Sequence, residues 1–163
     1  MYPSFIVEYG VAPHHLSKEV FIGIVKWLRE TRVEAKHTGR KLEADALKIV
    51  INRIYGALND AMDYLYDPEC TYTVTINLQL LLCGLIEAFE LNNFDVLSAN
   101  TDGLLVRLPL NRQGVFKHIC NEWSAYSKLD LETEKFEKYC RSAVNDYIAV
   151  GYGFYDALQE YNR

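Results

Sequence analysis

Cysteine is scarce in this sequence, and the spacing of its cysteines excludes a common kind of metal site. The four are Cys70, Cys83, Cys120 and Cys140. No two of them form a CxxC pair, and the neighbouring histidines His14 and His15 would point in different directions from a helix or a strand. The pattern therefore excludes a zinc knuckle, and we expect buried thiols in a reducing cytoplasm.

Nothing in the sequence has the pattern of a signal peptide or a membrane span. The first residues, Met1 to Phe5, contain no basic segment followed by an apolar run. The most apolar stretch, Val74 to Phe89, is interrupted by Asn77, Gln79 and Glu87 and is too short to span a bilayer. We therefore expect a soluble, cytoplasmic protein with no membrane partner.

Acidic residues outnumber basic ones in the whole chain, but the basic residues are concentrated in one segment. The chain has 163 residues and a formal net charge of −5. Between Ser17 and Gly56, nine basic residues face five acidic ones, whereas the remainder has eight basic and seventeen acidic residues. This asymmetry indicates a cationic element that faces an anionic ligand, beside a carboxylate-rich body. A solvated helical hairpin with mixed charges would give the same count.

Apolar residues recur at helical spacing in two neighbouring parts of this basic segment. The spacing predicts one helix from Leu16 to His37, with Ser17 as its N-cap, and a second from Lys41 to Asn59. The apolar positions are Val20, Ile24, Trp27 and Leu28 in the first helix, and Leu47, Val50, Ile51, Ile54 and Leu58 in the second. The short Thr38-Gly39 turn would join the two as a helical hairpin.

The next segment changes from helical to strand-like spacing. After a loop at Tyr66 to Glu69, a helix that is apolar on nearly all sides is predicted from Val74 to Asn92. Short β-prone runs at Asp95–Ala99 and Leu104–Leu108 flank the turn Asn100–Gly103, which predicts a β-hairpin.

The last third of the chain continues the mixture of helices and strands. A helix capped by Asn111 is predicted up to Ser127, followed by partial alternation from Leu129 to Tyr139 and a strand from Asp146 to Val150. The fold class predicted is therefore α+β, with one small antiparallel sheet and helices packed on it.

The second predicted helix carries a stripe of binding groups. Lys48, Asn52 and Tyr55 stand at i, i+4 and i+7, so they share one face. A cation, an amide and an aromatic ring in one stripe could hold a phosphate, a polar edge and a flat base. Arg32 and Lys36 put two further cations on one face of the preceding helix. Taken singly, each of these residues would more often be an exposed or core side chain.

The turn between the first two predicted strands places Asp102 at the tip of a hairpin. Magnesium is held by a few hard oxygen ligands, and an aspartate in this position suits that role. Asp-Gly is also one of the commonest hairpin turns, so Asp102 alone could be a turn residue.

These segments together resemble family B DNA polymerases of the type that phages carry. Lys48-x-x-x-Asn52-x-x-Tyr55-Gly56 is similar to the fingers motif K-x-x-x-N-S-x-Y-G, and Tyr2-Pro3-Ser4 to the end of D-x-x-S-L-Y-P-S. Ser98 to Gly103 is similar to Y-x-D-T-D-S, and Val144 to Ile148 to the K-x-Y element. Thr75 to Gln79 lies near the T-x-x-G-Q stretch of the family. The motifs stand in the family order and cover nearly all of the chain.

The resemblance implies a role for each matched residue. Tyr2 would be the steric gate under the incoming deoxyribose. Arg32, Lys36 and Lys48 would bind the triphosphate of a deoxynucleoside triphosphate, and Asn52 and Tyr55 would line the nascent base pair.

Further roles concern the metal ions and the DNA. Asp102 would bind the catalytic magnesium ions of a two-metal mechanism. Gly56 would allow close approach of the template, and Asn145 and Tyr147 would touch the primer–template DNA.

The sequence also departs from the family pattern. Arg53 replaces the usual serine, Asn100 replaces the first aspartate of the palm hairpin, and Asn145 replaces lysine. The aspartate of the first motif would lie four positions before Met1. We therefore expect little or no polymerase activity from these residues alone.

The resemblance implies a division of the chain into three parts. Residues 1–15 would end the first palm motif, 16–59 would form a fingers hairpin inserted into the palm, and 60–163 would form the palm and the start of its connection to the thumb. The exonuclease and thumb domains would be missing partners, and the palm surface left exposed could drive formation of a homodimer. The location implied is the cytoplasm of a phage-infected or prophage-bearing bacterial cell.

Two other interpretations remain open at this point. The chain could be a non-catalytic nucleotide- or DNA-binding module derived from a polymerase, which a genuine start at Met1 would favour. It could also be an unrelated α+β interaction protein, which would have no affinity for triphosphates.

Overall fold

Helices form most of the chain up to Leu129, and strands form most of the described chain beyond it. The computed structural model describes residues 1–101, 103–143 and 146–152. The chain divides into two units, Met1–Leu129 and Asp130–Arg163. The helices are α1 (Tyr2–Tyr9), α2 (Lys18–His37), α3 (Lys41–Leu58), α4 (Pro68–Leu91) and α5 (Gln113–Ser127), and the strands are β1 (Val96–Asn100), β2 (Gly103–Val106), β3 (Phe136–Ala143) and β4 (Asp146–Gly151). The predicted α+β class is confirmed.

Helices α2 and α3 form the predicted hairpin, with bounds within two residues of those expected. Ser17 caps α2, because its Oγ accepts a hydrogen bond from the Val20 backbone N–H at 3.5 Å. The chain reverses at Gly39, whose φ of 74° lies in the left-handed region that glycine adopts without steric cost.

The buried side of α2 differs from the apolar positions that predicted the helix. Its core residues are Phe21, Val25, Leu28 and Ala35. Val20 and Trp27 are each 61% exposed, and Ile24 is 51% exposed. Both sets recur at helical spacing, so periodicity alone did not distinguish the core face from its neighbour.

Helix α4 is the central helix of the first unit and begins six residues earlier than predicted. Asp67 is its N-cap, accepting a hydrogen bond from the Cys70 N–H at 2.9 Å, and Pro68 occupies the first turn. One face is buried against the other helices, through Val74, Leu78, Leu82, Leu85 and Phe89. The loop predicted at 66–69 was therefore wrong for Pro68 and Glu69, which lie in the first turn of α4.

The length of α4 bears on the membrane question. The expectation that the apolar stretch was too short to span a bilayer was wrong, because this 24-residue helix is long and apolar enough to cross a membrane, and 28% of its most apolar stretch is buried. A core helix of a soluble protein meets the same criterion. Helix α4 contacts α1, α3 and α5, and Asn77, Glu87 and Glu90 lie on its exposed side.

The first hairpin and α5 complete this unit. Strands β1 and β2 pair antiparallel, with Asn100 opposite Gly103 and a register shift between Val96 and Ser98. A 3-10 turn at Leu110–Arg112 precedes α5, and no side chain caps that helix. The prediction of Asn111 as an N-cap was therefore wrong, because the 3-10 turn includes it.

The second unit is described through one antiparallel hairpin of β3 and β4. The strand predicted at 146–150 is confirmed as β4. Its partner is β3, so the described strands form two separate two-stranded sheets instead of one. Among the cysteines, Cys70 and Cys120 are buried, whereas Cys83 and Cys140 are exposed, contrary to the expectation that all four were buried.

Candidate functional site

Two tyrosines from motifs far apart in the sequence meet in the structure. Tyr2 opens α1 and Tyr55 lies near the end of α3, and their rings stack with centroids 4.1 Å apart and planes 7° apart. Both side chains are half-buried. A parallel aromatic pair of this kind contributes beyond its buried area, so it fixes the start of α1 on the α2–α3 hairpin.

The hydroxyl of Tyr55 reaches a third helix. Its oxygen lies 2.7 Å from Oγ1 of Thr75 on α4, and Thr75 Oγ1 donates to the Thr71 carbonyl at 2.8 Å. Since the threonine hydroxyl has one proton and donates it to that carbonyl, Tyr55 is the donor to Thr75. The sequence reasoning gave Thr75 no role. Its spacing of four from Thr71 is a helical signal, but the contact with Tyr55 is a tertiary one.

The predicted cations lie along the hairpin without carboxylate partners. Arg32 is half-buried and Lys36 and Lys48 are exposed. None of the three forms a salt bridge with any residue that the structure describes. Their positive charges are therefore not neutralised within the described part of the chain.

Helical geometry puts Lys36 and Lys48 on the side of the hairpin that α1 occupies. Arg29 of α2 lies 4.0 Å from Glu8 of α1, just as Tyr55 of α3 contacts α1 through Tyr2. Lys36 follows Arg29 by seven residues and Lys48 precedes Tyr55 by seven, which is nearly two full turns in each case. Both lysines consequently extend from the same sides as the two residues that contact α1.

Arg29 itself has an incompletely satisfied guanidinium. Its Nη1 is buried and makes no hydrogen bond with the described residues, since Glu8 Oε1 at 4.0 Å is beyond hydrogen-bonding distance. Sequence reasoning did not single out Arg29, although its spacing of seven from Lys36 was visible.

The end of α3 contains the remaining residues of the segment that resembles K-x-x-x-N-S-x-Y-G. Asn52 and Gly56 are exposed. Arg53, which stands where the family has serine, donates from Nη2 to Asp60 Oδ2 and Asp63 Oδ2, both at 3.1 Å. The arginine thus ties α3 to the loop that follows it.

The hairpin of β1 and β2 contains the candidate metal ligand. Asp102 lies outside the described residues. Thr101, next to it, has a positive φ of 52°, which is uncommon for a β-branched residue. The two-residue hairpin turns of types I′ and II′ require a positive φ at their first central residue. The Thr101 hydroxyl donates to Asn100 Oδ1 at 3.0 Å.

The described residues do not provide a carboxylate cluster for metal ions. Within 1–101, 103–143 and 146–152, no three histidine, cysteine, aspartate or glutamate side chains lie close enough together to hold one. Asn100 offers an amide where the family has a carboxylate.

A polar cluster stabilises the start of α4. Burial alone would raise the pKa of Asp67, but hydrogen bonds from the Cys70 and His14 N–H groups and from the His14 ring lower it to about 2. His14 Nδ1 lies 2.9 Å from Asp67 Oδ2, and this hydrogen bond raises the pKa of His14. The cluster joins the segment after α1 to α4.

The second unit contains the other two predicted DNA-contacting residues. Asn145 lies outside the described residues. Tyr147 is 53% exposed and stacks on Tyr139, with centroids 5.1 Å apart. An exposed tyrosine such as Tyr147, stacked on a half-buried neighbour, can contact a base or a sugar.

A cavity of the first unit is lined by neither tyrosine of the stacked pair. It has a volume of about 620 Å³ and is lined mainly by apolar side chains of α1, α4 and α5, including Phe5, Leu80 and Trp123, with Asn77, Asn92 and Glu122 also at its surface. Trp123 Nε1 already donates to the Leu81 carbonyl at 2.8 Å. Leu80 and Tyr126 at its rim are 63% and 80% exposed, so the groove is an apolar surface.

Comparison with known proteins finds a relative of the kind that these motifs indicate. Over 77 residues, or 47% of its length, the chain is similar to a DNA polymerase. That relative is DNA polymerase II of Escherichia coli strain K12, with which the chain is 31% identical in this region. The region makes up 10% of the relative, so the chain matches about a tenth of its length. No family model matches the chain.

Proposed function

We propose that this chain is the fingers-and-palm portion of a phage-type family B DNA polymerase, which extends a primer by copying a DNA template. The observation that carries the proposal is the stacking of Tyr2 on Tyr55. Each belongs to a different polymerase motif, and a chance match of either motif gives no reason for them to meet. The likeness to a bacterial DNA polymerase supports the same conclusion.

The incoming deoxynucleoside triphosphate binds on the α1 side of the hairpin. Arg32, Lys36 and Lys48 bind its phosphates, because they are cations without carboxylate partners in the described chain. Tyr2 lies under the sugar, and Asn52 and Tyr55 face the new base pair.

The DNA binds in part beside the C-terminal end of α3, near Tyr55. The template passes Gly56, which has no side chain to obstruct it, and the primer–template duplex meets Asn145 and Tyr147. Two magnesium ions complete the parent enzyme, with Asp102 as the ligand that this chain contributes.

Calorimetric titration tests the proposal. A deoxynucleoside triphosphate with manganese is titrated into the wild type, into Lys48→Ala and into Lys117→Ala, which removes an exposed lysine of α5 outside the hairpin. We expect Lys48→Ala to weaken binding by about ten-fold or more, or about 1.4 kcal/mol, while Lys117→Ala binds like the wild type. Equal binding by all three proteins would refute the assignment of Lys48, and no binding by the wild type would refute the nucleotide site.

A second function is favoured by Asn100. An amide in place of a carboxylate lowers the negative charge available for metal ions, which suits a binding module without catalysis. Primer extension distinguishes the two. We expect this chain to extend a primer little or not at all, and robust extension that disappears in Asp102→Ala would show that it is a working polymerase.

The proposed partners follow from the same assignment. Exonuclease and thumb domains complete the parent enzyme, which acts in the cytoplasm of a phage-infected or prophage-bearing bacterial cell. The apolar groove beside Leu80 and Tyr126 is the palm surface through which two copies would pair.

A further inference from the structure

Arg53 departs from the fingers motif and makes contacts that a serine could not make. Its guanidinium Nη2 donates to one carboxylate oxygen of Asp60 and one of Asp63, each at 3.1 Å. Both acceptors belong to the loop between α3 and α4. Asp60 and Asp63, seven and ten residues after Arg53, are thereby held against α3.

The two aspartates are themselves fixed by the loop backbone. Asp60 Oδ1 accepts a hydrogen bond from the Met62 N–H at 3.2 Å, and Asp63 Oδ1 accepts one from the Leu65 N–H at 3.0 Å. The hydrogen bond from the Met62 N–H lowers the pKa of Asp60 most, and the hydrogen bond from Arg53 lowers it further. This carboxylate therefore stays ionised at neutral pH. The guanidinium is therefore held in one orientation before any ligand arrives.

The other side of the guanidinium lies next to Gly56. A Cβ atom added at Gly56 would lie 4.0 Å from Arg53 Nη1. Apart from its chain neighbours and the nearby backbone of α3, no other atom of the described chain would lie within 4 Å of it. The Arg53 side chain is 61% exposed. Neither Nε nor Nη1 has a hydrogen-bond partner among the described residues, so their N–H groups remain available to a ligand at the surface.

The local charge decides which kind of ligand suits these donors. One guanidinium faces two carboxylates, so the cluster has a net charge of about −1 when all three groups are ionised. A phosphate would be repelled by the aspartates, whereas a neutral oxygen or nitrogen acceptor on a base edge would not. Arginine is well suited to such acceptors, because its planar donors match the edge of a base.

We propose that Arg53 donates hydrogen bonds to a base of the template strand where that strand passes Gly56. The proposal rests on the proposed function, since it requires the template to approach this end of α3. Asp60 and Asp63 orient the guanidinium and offset its charge, and the ligand is a base edge instead of a phosphate.

Fluorescence anisotropy with a labelled primer–template tests this contact over a range of salt concentrations. The DNA is a hairpin with a single-stranded 5′ template overhang, and a second version carries abasic sites at the template positions next to the primer end. Arg53→Ser restores the serine of the motif, and Arg53→Lys keeps the charge without the planar donors. Arg40→Ser is the matched control, because Arg40 also bridges two carboxylates, those of Glu34 and Glu43, at the far end of the hairpin.

We expect both Arg53 variants to bind the intact DNA about five-fold or more weakly than the wild type, the low end for one arginine–base contact. The dependence of affinity on salt should not change, and the defect should disappear on the abasic DNA. Arg40→Ser should bind like the wild type. Thermal unfolding of each variant confirms that the folded proteins are being compared.

Three results would overturn the proposal, and they differ from one another. A salt dependence reduced by about one ion in Arg53→Ser would mean a phosphate contact. Equal affinity of the Arg53 variants and the wild type would mean that the arginine only anchors the loop. Failure of the wild type to bind any primer–template would refute the proposed function itself, together with this contact.

Discussion

Tyr2 and Tyr55 stack face to face, with ring centroids 4.1 Å apart, although one opens α1 and the other lies near the end of α3. The Tyr55 hydroxyl also donates to Thr75 of α4. A single side chain thus joins three helices, and each contact can be removed by one conservative substitution.

Removal of the hydrogen bond between Tyr55 and Thr75 should destabilise the protein modestly. Tyr55→Phe and Thr75→Val should each lower the free energy of unfolding by about 1 kcal/mol, and the double variant should cost little more than either, because both remove the same bond. Urea unfolding measures these values. Tyr72→Phe, which alters an exposed tyrosine of α4, is the control. Additive losses in the double variant would show that the two hydroxyls act separately.

Tyr2 should control discrimination between deoxyribose and ribose if the proposed function holds. In Tyr2→Ala, the preference for a deoxynucleoside over a ribonucleoside triphosphate should narrow by about ten-fold, or 1.4 kcal/mol, because no ring would stand under the 2′ position. Tyr2→Phe keeps the ring and should keep the preference. Competitive calorimetric titration of the two triphosphates measures the ratio of their affinities. An unchanged ratio in Tyr2→Ala would show that Tyr2 is not the steric gate.

The two apolar sides of α2 should differ sharply in their contribution to stability. Phe21→Ala deletes a buried ring and should cost about 3–5 kcal/mol, whereas Trp27→Ala, at a residue that is 61% exposed, should cost less than about 1 kcal/mol. Urea unfolding of both variants decides the matter. A larger loss in Trp27→Ala would mean that the exposed side is covered in solution.

The ion pair between His14 and Asp67 should make stability depend on pH in two directions. The lowered pKa of Asp67 means that its contribution is present above pH 3.8 and is lost as the pH falls towards about 2. The raised pKa of His14 means that the contribution of its charge is present below pH 6.5 and is lost as the pH rises through the folded value.

Asp67→Asn isolates this contribution. The variant should be less stable than the wild type by about 2 kcal/mol, which corresponds to the shift of the Asp67 pKa. The difference should be largest between about pH 4 and 6.5 and smaller on either side. Urea unfolding at a series of pH values measures it, with the exposed Asp45→Asn as the control. A difference that does not vary with pH would mean that ionisation of the pair is unimportant.

Helix α2 and its turn could be predicted because their signals are local. Ser17 and Gly39 act on the backbone within a few residues of themselves, and both occupy the predicted positions. Helix α1 was not predicted, because its eight residues are too few to show a periodicity. Helix α4 begins earlier than predicted because Asp67 caps it and Pro68 occupies its first turn, which are local signals that the prediction did not use.

The candidate site was predictable as a set of residues but not as an arrangement. Lys48, Asn52 and Tyr55 share a helix, so their common stripe follows from spacing alone. The approach of Tyr2 to that stripe, and of Thr75 to Tyr55, depends on how separate helices pack. Asp102 and Asn145 lie outside the described residues, so their predicted roles remain predictions.

The sequence by itself determined the helices of the hairpin, the α+β class and the order of the polymerase-like motifs. Each of these depends on residue types at short spacings along the chain. Tertiary structure alone decided that Phe21 and not Trp27 faces the core, that Tyr2 meets Tyr55, and that Arg53 is held by two aspartates of the next loop. These outcomes depend on contacts between side chains from different elements, and no periodicity within one element specifies which neighbour will cover it.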